Sequence, residues 1–486
     1  MPLRVAFVHT PMAAVVVPER RLFWRNFDAR YHGAHPGLRH MRKPLFELPH
    51  WMPWLAGVLV REGYTDLQVL DLAGVATGPA AVDDLAVTAA VEQSPAGVYL
   101  LSPMTANLPL ALAIARLIKQ TMPGATVVFG GVAATPLHRE LAADAAVDCV
   151  VVGRGEVALV AVLRALEAGE RLTSVGGVTC KTDDGRAVRP ALWSYPALEA
   201  REIPPPVVDL FPADTGEDLR YLRQVYGLGC PYRCTFCTIQ TNGRPPTYFP
   251  VDRVIAEIHA YRRRYGDHHN VYFGDETFGL DVRRLEELSA ALAADGTIKY
   301  DCQTRLECLA DAATRRLLKE SGCLWVEVGL ETKSQRSQDT HKQKQRIAQT
   351  EETLARARDE GLAVCAFMMN GFPDQTIADM RAAVEWVCGL LSDGLLQATY
   401  FNPLVPYPGS ALYARPSDYG MVIRQREWQS YNEELPPVFD TPRWTSEAAH
   451  GVFLDGLAMI AEAMGGPSPG DEDDGDYGAF WATAHV

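Results

Sequence analysis

The chain has 486 residues, with 46 Lys and Arg against 60 Asp and Glu, a formal charge of −14. At roughly 150 residues per domain, this is two or three domains with material for real cores. An acidic balance argues against a main role in gripping nucleic acid, which needs a basic face. No run of about 18 uncharged apolar residues occurs, so no membrane span is expected. The start, Met1 to His9, lacks the basic-then-apolar layout of a signal peptide. The expected setting is therefore a reducing cytoplasm, where ten cysteines mean metal or redox chemistry before disulfides.

Residues 1 to about 200 alternate strands and helices. Strands are predicted at Leu3–His9, Leu67–Leu72, Gly97–Ser102, Thr126–Phe129 and Val147–Val152, with helices at Trp54–Glu62 and Leu108–Met122. Continuous apolar strands in this alternation imply an α/β, doubly wound, flavodoxin-like parallel sheet. Such sheets bind ligands outside the carboxyl ends of their strands. Those ends carry Ser102, Thr105, Gly130-Gly131 and Gly153-Arg154-Gly155-Glu156, whose glycines let backbone approach a bulky ligand. Pro204-Pro205-Pro206 reads as a stiff linker.

Alternation then resumes, with strands predicted at Tyr221–Tyr226, Asn270–Phe273, Ile298–Thr304, Leu324–Leu330, Leu362–Met369 and Leu396–Asn402. Helices fall between them at Val251–Tyr265, Val282–Ala294, Ala312–Glu320, Ile347–Glu360 and Ile377–Leu391. That is a partial (β/α)6 barrel, short of the eight units of a full one. From about 410 the pattern becomes a small irregular, Trp- and Tyr-rich region. The end reads as a disordered acidic tail. The expected boundaries are 1–200, a linker at 201–219, 220–410, 411–465 and a tail at 466–486.

The cysteines are unevenly spread. Seven read as small buried hydrophobes, but Cys230, Cys234 and Cys237 form C-x3-C-x2-C directly after the first strand of the second half. Three thiolates on one loop can each hold one iron of a [4Fe–4S] cube, leaving the fourth iron for an outside ligand. A structural zinc would want a fourth Cys or His at finger spacing. The next His is His259, on a predicted helix.

In this spacing, with Gly229 before it and Phe236 before the last cysteine, the sequence resembles the radical S-adenosylmethionine (SAM) enzymes. Gly274-Asp275-Glu276 resembles the second-strand segment that holds the SAM amino group. Gly329-Leu330-Glu331-Thr332 resembles the fourth-strand segment whose acid faces the SAM ribose, and Met368 to Thr376 the glycine motif near the adenine. The resemblance implies that Cys230, Cys234 and Cys237 bind the cluster and that Phe236, Gly274, Glu276, Glu331 and Gly371 shape the SAM pocket. A doubly wound domain before such a barrel resembles the B12-binding domain of cobalamin-dependent members. Ser102, Thr105, Gly130, Gly131, Gly153 and Glu156 would then border cobalamin. One departure stands out. The D-x-H-x-x-G motif, whose histidine ligates cobalt from below in other cobalamin proteins, is absent, since His9 is followed by Thr10-Pro11 and has no Asp two residues before it. The resemblance thus implies a non-histidine group below cobalt, with His50 and His138 read as surface or core residues.

Those cofactors imply a C-methyltransferase that takes a methyl from SAM through methylcobalamin to a carbon of a small natural-product substrate. An electron donor of the flavodoxin or ferredoxin type would serve it. A cyclase or rearrangement enzyme with the same cofactors is the alternative, and a non-catalytic corrinoid or Fe–S sensor a remote one. The Arg20–Lys43 stretch, rich in Arg, His and aromatics, is expected at the ligand edge of the sheet, as a lid or an anion site. With the basic stretch after the fourth barrel strand it supplies Arg25, Tyr31, His35 and Lys333 as substrate candidates.

Overall fold

The computed structural model describes residues 3–12, 17–36, 48–182, 198–239, 244–267 and 270–465, together with the backbone of 187–188. The expected acidic tail and the basic residues Arg39, His40, Arg42 and Lys43 lie outside the described residues.

The first sheet contains β1 (Val5–His9), β2 (Leu67–Asp71), β3 (Val98–Leu101), β4 (Thr126–Phe129), β5 (Cys149–Val151), β6 (Val178–Lys181) and β7 (Ala187–Val188). Their order is β2-β1-β3-β4-β5-β6-β7. The pairs from β2 to β5 are parallel, and β6 and β7 add an antiparallel edge. Strand order reverses at β1/β3, which is where this topology opens a crevice. Val5 and Phe7 pack in one core and Ala6 and Val8 in another, so β1 is apolar on both faces because helices cover both. One of these is α2 (Trp51–Arg61).

The second sheet is β8 (Tyr221–Gln224), β9 (Asn270–Phe273), β10 (Tyr300–Arg305), β11 (Cys323–Glu331), β12 (Ala363–Asn370) and β13 (Ala398–Pro403), in sequence order. Every neighbouring pair is parallel. Helices alternate with the strands, among them α6 (Val251–Tyr265) after β8 and α10 (Ile377–Ser392) before β13. The tri-proline linker is pressed between the halves. A Cβ on Gly57 of α2 would overlap the Pro205 carbonyl, Val207 N–H donates to Pro53 O at 2.9 Å, and Arg253 of α6 donates to Pro204 O at 2.9 Å.

Two elements differ from the sequence expectation. The first is α1 (Glu19–Ala34), expected as a lid at the ligand edge. It instead crosses the amino-terminal end of the barrel and fills its floor. Phe27 meets Trp325 at 6.1 Å and Tyr400 at 4.7 Å, and Tyr31 meets Trp325 at 5.2 Å. Phe23, Trp24, Phe27 and Tyr31 all belong to the barrel core. Polar side chains on this face find distant partners. Buried Arg20 pairs with Glu434 at 2.7 Å, and Asn26 donates to Ala461 O at 2.8 Å. The second is α11 (Ser446–Met464), in the region expected to be irregular. It packs on α10, α1 and β13. Gly456 permits this, because a Cβ there would come within 2.6 Å of Phe401.

Truncating a large buried aromatic leaves a cavity that the surroundings fill only partly. Phe27→Ala is therefore expected to cost about 3–5 kcal/mol of unfolding free energy, measured by urea denaturation. The exposed Arg21 changed to Ala should stay within about 0.5 kcal/mol.

Candidate active site

Two cavities meet where the halves join. The first, about 660 Å3, lies at the carboxyl ends of β1, β3, β4 and β5. His9, Ser102, Gly130, Gly131, Gly153 and Glu156 line it from the sheet side, and Arg223, Leu228, Ile239 and Glu276 from the barrel side. Gly131 has φ +88°, and a Cβ on it would overlap the Ser102 hydroxyl, so only glycine lets these two strand ends close up. Glu156 is held by Arg154, whose Nε donates to Oε1 at 3.0 Å. Thr105 does not line this cavity. It is buried in a short 3-10 turn, Thr105–Asn107, and its neighbours Met104 and Asn107 line the cavity instead. His50 lines the cavity too, whereas His138 is buried against Thr179 at 2.8 Å.

The second cavity, about 570 Å3, is the barrel lumen, and Cys230, Cys234, Cys237, Phe236, Glu276 and Glu331 all line it. It shares Arg223, Ile239 and Glu276 with the first. Two acids after β9 hold the neck of the cysteine loop. Asp275 accepts the N–H groups of Tyr226 at 2.8 Å and Gly227 at 2.7 Å, and Glu276 accepts Gly229 N–H at 2.7 Å. Burial pushes the Asp275 carboxyl up to about 8, against the pull of those two N–H groups. Gly229 has φ +121°, and a Cβ there would lie 2.8 Å from Pro245 O. Beyond the neck, Thr235 is bolted to His341 through its N–H at 2.9 Å and its hydroxyl at 2.7 Å.

The thiols suit the cluster chemically. Burial raises Cys237 to about 12 and raises Cys234 as well, with Arg305 and Lys342 opposing the rise at Cys234. Iron binding at Cys234 and Cys237 must therefore release protons. Arg305 donates to Cys234 Sγ at 3.7 Å while lying over the Tyr232 ring at 3.9 Å. Among the described residues no three His, Cys, Asp or Glu side chains are grouped to hold a single metal ion. That is compatible with three thiolates that each take a separate iron.

Glu331 ends β11 at a bulge, with φ +62°, a conformation that costs a non-glycine residue of order 1–3 kcal/mol. Lys342, on a π-helical turn at Gln338–Lys342, pairs with it at 2.7 Å. A Cβ on Gly329 would overlap both partners, so the pair lies flat over a glycine. Phe236 packs edge-on against Phe372 at 5.9 Å. Gly274 lies under the Arg223 guanidinium, 2.7 Å from where its Cβ would be. Gly371, φ +95°, packs on Trp444 just beyond the lining residue Met369.

The substrate candidates are dispersed. Arg25 is half-buried and Lys333 exposed, and neither lines a cavity. His35 is buried with its Nε2 2.8 Å from Asp301. Tyr31 lines the lumen, but its hydroxyl donates to Asp301 at 2.6 Å and its ring covers Arg220 at 3.7 Å. These two are consumed by the barrel floor, because α1 faces the strands and not the sheet edge. The lumen residues that sequence reasoning missed include Arg220, Arg223, Asp301, Gln303, Glu327, Asn402 and Glu433. Polar residues two apart, such as Asp301, Gln303 and Arg305 within β10, were the available signal. Period two in a strand marks one face, here the lumen.

Residues 47–163 match the B12 binding domain model and residues 225–387 the radical SAM superfamily model, so the molecule is a B12-binding domain joined to a radical SAM domain. The chain belongs to the cobalamin-dependent radical SAM enzymes, whose cofactors are a [4Fe–4S] cluster, SAM and cobalamin. An uncharacterized methyltransferase of Pyrococcus horikoshii, PH0819, is 26% identical over 347 residues, covering 69% of this chain and 72% of its own. The anaerobic magnesium-protoporphyrin IX monomethyl ester cyclase of Rubrivivax gelatinosus is 22% identical over 407 residues, covering 80% and 69%. The radical SAM methyltransferase TsrM of Kitasatospora setae, solved with cobalamin and a [4Fe–4S] cluster, superposes with TM-score 0.68 at 16% identity, covering 95% of this chain and 89% of that one. OxsB superposes with TM-score 0.61 at 15% identity, covering 86% of this chain and 56% of that one.

The lumen also carries a pH signature. Glu327 accepts Tyr272 Oη–H at 2.8 Å and Tyr400 Oη–H at 3.1 Å, and burial lifts its carboxyl from 4.5 to about 7. A raised folded value means the folded state keeps a proton that the unfolded chain releases. The stability is full below about 4.5 and is lost as pH rises to about 7. Unfolding free energies of wild type and Glu327→Gln across this range should diverge in slope by about 1.4 kcal/mol per pH unit, the variant being the flatter.

Proposed function

We propose that the protein is a C-methyltransferase that moves a methyl group from SAM, with cobalamin as carrier, to a carbon of a small molecule. The reading rests on one observation, the wall of Arg223, Ile239 and Glu276 common to both cavities. Chemistry begun in one can be completed in the other only if substrate reaches both. When bound, the cluster supplies the electron that cleaves SAM and cobalamin supplies a transferable methyl.

The chain's own residues provide the rest. Cys230, Cys234 and Cys237 hold three irons. Glu331, fixed by Lys342, offers acceptors to a ribose, and Phe236 gives an apolar wall. Ser102, Gly130, Gly131, Gly153 and Glu156 border the corrin. Arg223 and Glu276 put opposite charges where the cavities meet, which suits a substrate with polar groups of both signs. TsrM, solved with tryptophan as substrate, supports a small aromatic or amino-acid-like acceptor. Placement in a bacterial natural-product pathway, a cytoplasmic setting and a flavodoxin- or ferredoxin-type donor belong to the same reading. No helix among the described residues is long and apolar enough to cross a membrane.

The cyclase relatives make radical cyclisation without methyl transfer the second reading. Anaerobic turnover with methyl-deuterated SAM separates the two by product mass. A product that gains one labelled methyl, with S-adenosylhomocysteine and 5′-deoxyadenosine formed, is expected. A product that only loses hydrogen or isomerises supports the cyclase, and neither nucleoside appearing supports a sensor.

A further inference from the structure

The sheet-side floor of the first cavity carries a histidine with a carboxylate behind it. His9 closes β1 at its carboxyl end and lines the cavity, with its side chain 15% exposed. Its neighbour in register is Asp71, at the same end of β2, and His9 Nδ1 lies 3.0 Å from Asp71 Oδ1. Backbone contacts fix both residues. Leu72 N–H donates to His9 O at 2.9 Å, and Ala73 N–H donates to Asp71 Oδ1 at 3.1 Å. A carboxylate only accepts, so at this distance Nδ1–H donates to Asp71, and the neutral imidazole then carries its lone pair on Nε2. Among the described residues Nε2 has no protein partner. An imidazole tied at one nitrogen to a carboxylate and open at the other is the arrangement of a metal ligand.

The walls of the cavity say which metal face it meets. Strand ends, including His9 and Gly130, form one side, and barrel residues Arg223, Leu228 and Glu276 form the other. A flat macrocycle lying across the strand ends turns one face to each. We infer that His9 Nε2 is the protein's ligand to cobalt on the sheet-facing side, with Asp71 as its positioning partner. The coordinate bond uses the Nε2 lone pair, and the Nδ1 proton stays with the pair. This replaces the non-histidine group implied by the absent D-x-H-x-x-G motif, because the carboxylate comes from the next strand and not from two residues upstream. The other candidate ligands lack this arrangement. His50, at the start of α2, packs against Trp54 at 5.2 Å, and among the described residues no carboxylate stands behind its ring. Met12 Sδ accepts the Asn107 amide at 3.6 Å.

The inference rests on cobalamin being the occupant, and its test separates the two questions. Full-length protein, unlabelled or uniformly 15N-labelled, is reconstituted with natural-abundance cobalamin, reduced to Co(II) and read by EPR. A nitrogen ligand from the protein gives triplet splitting of the cobalt lines in unlabelled protein and doublets in labelled protein, and this is the expected result. Triplets that persist in labelled protein mean the cofactor's own base nitrogen. Unsplit lines mean water, sulfur or an open position. Either overturns the assignment. His9→Ala should lose the doublet while retaining cobalamin, and His50→Ala should keep it. A doublet lost in His50→Ala overturns the assignment even where His9→Ala fails to fold. Wild-type protein that takes up no cobalamin overturns the cofactor reading instead.

Discussion

A six-stranded parallel barrel is hollow at both ends, and only one end can serve as a mouth. The other must be sealed, or water would reach the lumen that the chemistry needs dry. Here the seal is α1, contributed by chain that precedes most of the B12-binding half. Its aromatic face meets Trp325 and Tyr400, and Tyr31 and His35 satisfy Asp301. Arg220 is paired with Asp28 at 3.6 Å and covered by Tyr31. Buried charges persist only when paired and hydrogen-bonded, so the floor is held by a fixed set of partners. Because α1 follows β1 directly, the same stretch of chain starts the first sheet and closes the second. That continuity, with the linker clamped between α2 and α6, holds the two cavities together.

The mouth obeys a different constraint. The cysteine loop is tied to His341 through Thr235, and its neck takes its shape from acids at the end of the next strand. Asp275 and Glu276 between them accept three backbone N–H groups of its neck. Glu276 also lines both cavities, so a residue that sets the neck of the cysteine loop is part of the shared wall. Strain is confined to the same rim, at Glu331 and at Gln343 and Lys344, the non-glycine residues with positive φ among those described. Such outliers gather where a ligand site over-determines the backbone.

Much of this was legible in the sequence. The barrel strands lie where apolar runs predicted them, and helices Val251–Tyr265 and Ala312–Glu320 have the expected bounds. The three cysteines singled out by their spacing all line the lumen. What escaped depended on partners far away in the chain. Arg20, Asn26 and His35 break the apolar stripe of α1, since the groups that satisfy them, Glu434, Ala461 O and Asp301, lie hundreds of residues on. α11 lies in the stretch read as irregular, and its packing depends on Gly456 letting Phe401 approach. The Lys333 expectation took every basic residue after β11 as facing the rim, whereas the π-helical turn carries Lys342 inward and leaves Lys333 in solvent. The pairing of His9 with Asp71 joins two strands and has no local signature.

The central claim is that cobalamin and SAM occupy adjoining cavities and serve one substrate. A crystal structure of protein reconstituted anaerobically with cluster, cobalamin and SAM tests it most directly. The account predicts the corrin in the first cavity and SAM beside Cys230, Cys234 and Cys237 in the lumen, with Arg223 and Glu276 between them and open space connecting the two. Cobalamin bound elsewhere, or protein filling the junction so that no substrate could reach both, would contradict it.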